Sequence, residues 1–132
     1  MFFIDNQSRQ AVYEQIISQT EKLILTGSLP ADSPIPSVRS LSLDISVNPN
    51  TIQKAYSDLD RRGIIYSSAG KGSFVSPDAV QILLKEKISN IKSIETMANE
   101  FAVAGVKKED VVAAVERGYE RAREQMKGFE NI

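Results

Sequence analysis

Residues Pro36–Val75 read PSVRSLSLDISVNPNTIQKAYSDLDRRGIIYSSAGKGSFV, and the order of signals in this stretch decides the fold. Ser37 suits the N-cap of a helix that carries Val38, Leu41 and Ile45 on one face. Ser46-Val47-Asn48 is long enough only for a turn. Asn48 is a second N-cap and Pro49 fits the first helical position, where an amide hydrogen would go unpaired in any case. The helix that follows lines up Ile52, Ala55, Tyr56 and Leu59, which leaves Asn50, Thr51, Gln53, Lys54 and Ser57 on the faces turned from the core. Gly63 suits a left-handed helix end, Ile64 to Tyr66 read as a strand, and Ser73 to Val75 read as its partner across a Gly70-Lys71-Gly72 tip. Two short helices, a tight turn and a glycine-tipped hairpin make a winged helix-turn-helix, a module that reads duplex DNA.

On these residues the chain resembles GntR-type transcriptional regulators. The matching pieces are Tyr13-Glu14-Gln15-Ile16, Gly27-Ser28-Leu29, Pro36 to Leu41, Val47 to Ile52, Ala55-Tyr56, Leu59, Gly63 and Gly70 to Val75. The Asn-Pro-Asn-Thr opening of the second helix and the brief tail resemble the YtrA subfamily, whose members carry two C-terminal helices in place of a large effector domain. The resemblance implies that Arg39 contacts DNA and that Lys71, with Gly70 and Gly72, forms a wing entering the minor groove. It also implies control of a neighbouring transporter operon. Many members carry basic residues where Pro49 and Gln53 stand here. Base readout then falls to Asn50, Thr51, Gln53 and Lys54, because Asn and Gln pair bidentately with adenine and a threonine methyl touches that of thymine. The caps Ser37 and Asn48 complete the candidate DNA-binding set.

Charge is the objection to this reading: over 132 residues the net charge is -1, whereas nucleic-acid binders are usually basic. Between Arg39 and Val75, however, Arg39, Lys54, Arg61, Arg62 and Lys71 outnumber Asp44, Asp58 and Asp60. Plainer roles exist for each candidate. Arg39 also suits a solvent-facing helix position or a partner for Asp44, the helix residues suit ordinary surface, and Lys71 suits a simple turn. Tyr56 is read as core.

Before this stretch, Phe2 to Asp5 is expected to form a short strand, and a helix from about Ala11 turns Val12, Ile16, Ile17, Leu23 and Ile24 inward. Leu29 to Pro36 holds three prolines and reads as a connector rather than an element. Within it Asp32 stands where the family often has glycine, and aspartate tolerates a left-handed backbone. After Pro77, Asp78 suits an N-cap. One helix from Ala79 to about Ala104 is expected, with Leu84, Ile88, Ile91, Ile94, Ala98 and Phe101 in a stripe. Gly105 breaks the run, and Glu109 and Asp110 open a further helix carrying Val111, Val115, Tyr119, Ala122 and Met126. The expected architecture is α+β and mostly helical: a winged helix-turn-helix domain over 1–77, then a two-helix hairpin over 78–132 whose stripe pairs with a second copy.

The function classes narrow accordingly. With no His and no Cys there is no thiolate nucleophile or imidazole base, and no disulfide or thiolate metal site. No Gly-rich nucleotide loop is present, so enzyme, cofactor and metal roles are not expected. Apolar runs are too short for a membrane span and no signal segment is read, so a cytoplasmic protein is expected. The expectation is a homodimeric repressor on a palindromic duplex operator, with any small-molecule effector unknown and the hinge around Pro77 and the crevice between the long helix and the winged domain as the places to sense one. A winged helix that docks protein is the alternative, against which stands the polar, Asn- and Gln-bearing start of the second helix.

Overall fold

In the computed structural model, which describes residues 1–130, the chain runs through α1 (Val12–Leu25), α2 (Val38–Ile45), α3 (Pro49–Arg61), β1 (Ile65–Ser68), β2 (Gly72–Val75), α4 (Ala79–Ser89), α5 (Ile91–Val103) and α6 (Lys108–Glu130). The expected α+β, mostly helical architecture is present. Two compact units divide at Leu84 and Lys85.

In the first unit the caps act as their residue types dictate. Ser37 Oγ accepts from the Ser40 amide at 3.0 Å, and Asn48 Oδ1 accepts from the Asn50 amide at 2.8 Å. Ser46, at φ 53, turns the chain between α2 and α3. Gly63, at φ 80, takes the left-handed turn after α3, so that its own amide bonds Asp60 O and that of Ile64 bonds Leu59 O. Asp32 is left-handed as expected, at φ 63. α1 and α3 pack together, and Ile16, Leu41, Ile52, Leu59, Ile64, Val75 and Leu83 are nearly or completely sealed from solvent. The buried hydroxyl of Thr20 is satisfied by donating to Ile16 O.

β1 and β2 pair antiparallel, with Ile65 opposite Val75 and Tyr66 opposite Phe74. The proline-rich connector, expected to stay outside the sheet, adds a third edge to it. Asp32 N donates to Val75 O, Val75 N to Ser33 O and Ile35 N to Ser73 O, with a bridge between Pro34 and Phe74. Proline has no amide to donate and is tolerated at a sheet edge, so Pro34 fits this place. The Tyr66 hydroxyl donates to Asp32 Oδ1, and its ring stacks on Phe74 with centroids 5.6 Å apart.

Phe2 to Asp5 is not a strand. It runs alongside α1, where glutamine side chains replace a strand partner. Phe3 N donates to Gln19 Oε1, and Gln19 Nε2 donates back to Phe3 O. Asp5 N donates to Gln15 Oε1, and Gln15 Nε2 returns to Asp5 O. The match follows from geometry: four helical residues rise about 6 Å, close to the roughly 6.7 Å spanned by two residues of extended chain.

α4 also departs from expectation. The single helix expected from Ala79 to Ala104 is interrupted at Asn90, where Ser89 Oγ bonds back to Glu86 O and the Asn90 amide to Lys87 O. Serine competing for a preceding carbonyl loosens a helix at that point. Its start buries Ala79 and Leu83, with Ile82 half-buried, while Leu84 and Ile88 of the expected stripe stay exposed. Gly105, at φ 87, ends the turn after α5. In the second unit no side chain from Lys85 to Lys127 is buried, and Ile91, Ile94, Met97, Phe101, Val106, Val115, Tyr119 and Met126 all lie open. Among the described residues no helix is long and apolar enough to cross a membrane.

Candidate nucleic-acid interface

α3 sinks Ile52, Ala55, Tyr56 and Leu59 into the core, so its polar residues emerge on the other side. Asn50, Gln53, Lys54 and Ser57 are exposed, and Thr51 is half-buried. Tyr56 fixes α3 against the start of α2 by donating its hydroxyl to Pro36 O at 2.7 Å. Burial pushes that hydroxyl up to about 12.

The recognition-helix candidates differ in what holds them. Gln53 Nε2 donates to Ser57 Oγ at 3.2 Å, one turn further along the same helix. Lys54 reaches the other way and sets Nζ 3.9 Å from the centre of the Tyr13 ring, on the first turn of α1. Arg39 is exposed on α2 and makes no ion pair among the described residues, with Asp44 or otherwise. Ser37 and Asn48 spend a side-chain oxygen on capping. At the wing tip Gly70 and Gly72 take φ 73 and 103, conformations open to glycine, and the Lys71 amide closes the turn on Ser68 O. Lys71 itself is exposed. Between α3 and the wing lies a shallow groove lined by Val38, Gln53, Tyr56, Ser57, Asp60, Arg61, Ile65, Ser67 and Ser73.

Not every cation of this stretch faces outward. Arg62 is mostly covered, with Nη2 2.6 Å from Glu21 of α1 and Nη1 2.9 Å from Asp58 of α3. Arg61 pairs with the same Asp58 at 2.6 Å. Burial raises the Asp58 carboxyl, but hydrogen bonds from Arg62 and Arg61 outweigh it and hold the group below the ordinary carboxylate value. Arg62 thus works as a tie between α1 and α3, and the outward positive charge narrows to Arg39, Lys54, Arg61 and Lys71. Sequence reasoning left Tyr13 and Ser57 out of the candidate set. Ser57 was legible as an outward residue one turn after Gln53; nothing local links Tyr13 to Lys54.

A winged helix with a polar recognition helix defines a class of DNA-binding proteins, and comparison with known proteins narrows it. Residues 12–75 match the profile of bacterial regulatory proteins of the gntR family. The HTH-type transcriptional repressor YtrA of Bacillus subtilis (strain 168) is 42% identical over 92 residues, covering 70% of this chain and 71% of YtrA. Among solved structures, a GntR family transcriptional regulator from Listeria monocytogenes aligns with a TM-score of 0.67 at 32% identity, covering 86% of this chain and 98% of that one. AraR(DBD), solved in complex with operator ORX1, aligns with a TM-score of 0.51 at 31% identity over 57% of this chain and 93% of that one. The chain belongs to the GntR family of transcriptional regulators and is similar to its YtrA-type members.

Proposed function

We propose that this chain is a cytoplasmic transcriptional repressor that binds a palindromic duplex operator as a homodimer. Residues 1–77 supply the DNA-binding domain and residues 78–132 the dimerising tail. The observation that carries the reading is the outward face of α3, which sets Asn50, Gln53, Lys54 and Ser57 in the open beside the wing. Asn50, Thr51 and Gln53 read base edges. Arg39, Lys71 and the glycine amides of the wing approach the backbone and minor groove, and Ser37 and Asn48 offer their remaining polar atoms at helix N-termini. YtrA is named a repressor, and a small dimer seated on a promoter blocks polymerase without further machinery. Dimerisation draws support from the apolar residues that α5 and α6 leave exposed, because a two-fold pair covers such a surface and sets two recognition helices on successive major grooves.

The test is a fluorescence-anisotropy titration against duplex from the upstream intergenic region and against scrambled duplex, at two salt concentrations, with Arg39→Ala alongside. The expected result is tight binding that prefers the upstream duplex, weakens steeply with salt and is lost in Arg39→Ala. Absence of binding at low salt overturns it.

A further inference from the structure

Gln53 and Lys54 are neighbours on one exposed helix face, yet the fold restrains them in opposite directions and by different chemistry. Gln53 is held within α3 by Ser57, which accepts one of its amide hydrogens. Its planar amide keeps a carbonyl oxygen and a second N–H beyond that bond, an acceptor and a donor of the kinds a base edge pairs with. Lys54 is held by another element, its ammonium 3.9 Å from the Tyr13 ring centre. An ammonium is a point charge without planar pattern, on a flexible stem, and what it gains from being held is location. Glu14 lies next to Tyr13 in sequence, and its charge raises the Tyr13 hydroxyl above the ordinary tyrosine value. Like any tyrosine near neutral pH the ring is an uncharged phenol, and it offers the cation its face.

We infer that Tyr13 is a positioning residue that holds Lys54 as a clamp for a backbone phosphate, leaving base readout at this point of α3 to Gln53. The inference rests on the DNA-binding reading above. Binding register along the duplex is then set in part by α1, through a side chain that touches no DNA.

The experiment titrates the full-length chain with the upstream duplex, its single-base variants and scrambled duplex across a salt series. The variants are Lys54→Met, Tyr13→Phe, Tyr13→Leu and the Tyr13→Leu/Lys54→Met double. Lys54→Met is expected to weaken binding to all duplexes by a similar factor and to lower the salt slope by about one. Tyr13→Phe keeps the ring and binds like the parent. Tyr13→Leu loses about threefold on every duplex, in keeping with an exposed cation–ring contact, and costs nothing more once Lys54 is gone. The inference is overturned if Lys54→Met changes the preference at one base position, or if Tyr13→Leu costs as much in the Lys54→Met background as in the parent. Lys54→Met alters only an exposed side chain, so its slope and base preference decide the matter even if Tyr13→Leu folds poorly. A parent protein showing no salt-sensitive duplex binding sinks the DNA reading itself, a result distinct from these.

Discussion

Two regions built from similar apolar residues meet opposite fates. Among the described residues every buried apolar side chain falls between Ile16 and Leu83, whereas α5 and α6 carry Ile, Met, Phe, Val and Tyr that remain open along their length. The first unit closes its core with long-range pairings, α1 on α3 and the proline-rich connector on β2. The second leaves its stripe unburied, and that open apolar surface is the one on which the proposed dimer rests. The difference teaches that amphipathic periodicity fixes which face seeks cover, not whether the same chain supplies it.

The sharpest break of this comparison comes from cutting one residue in each region. Ile52→Ala, at a fully enclosed site on α3, is expected to cost about 2–5 kcal/mol. The loss appears as a lower urea midpoint and melting temperature. Ile94→Ser with Phe101→Ser, both at exposed sites, should leave the melting of the winged unit unchanged. In the proposed dimer the pair removes about 2–4 kcal/mol of association, read as a shift toward monomer in sedimentation. A drop in winged-unit stability equal to that of Ile52→Ala would erase the distinction between the regions.

Smaller effects sharpen it. Arg62→Met removes the cation shared by Glu21 and Asp58 and is expected to cost about 2 kcal/mol, measured by urea unfolding. Tyr56→Phe loses only the bond to Pro36 O, about 1 kcal/mol. The two also predict the pH profile. Asp58 is held below its ordinary value, so its contribution is present above that value and fades as pH falls toward the lowered one, and Arg62→Met flattens this acid limb. Tyr56 is raised from 10.0 to about 12, so its contribution is complete below about pH 10 and is lost as pH climbs toward 12. Tyr56→Phe abolishes that alkaline limb.

Local signals were legible because each depends on a residue and its near neighbours. Ser37 and Asn48 cap, Pro49 opens α3, and Gly63 and Asp32 take positive φ as their side chains allow. The same holds for the outward residues of α3, since burial of Ile52, Ala55, Tyr56 and Leu59 leaves them nowhere else to point. What escaped were pairings between distant segments. The bridge at Pro34, the Arg62 tie to Glu21 and the contact of Lys54 with Tyr13 each join residues whose own surroundings give no sign of it. The break at Asn90 was hidden differently, because a stripe of three- and four-residue spacings continues across it while Ser89 takes the Glu86 carbonyl.

The glutamine pair on α1 has a dynamic consequence. Backbone amides in a sheet exchange with solvent when strands part, a cooperative event. The amides of Phe3 and Asp5 are instead guarded by the tips of Gln19 and Gln15, so their exchange clock is set by side-chain torsions. Deuterium uptake at these two positions would run ahead of α1 itself, and the leading segment would lift from the domain like a latch while the helix beneath stays folded.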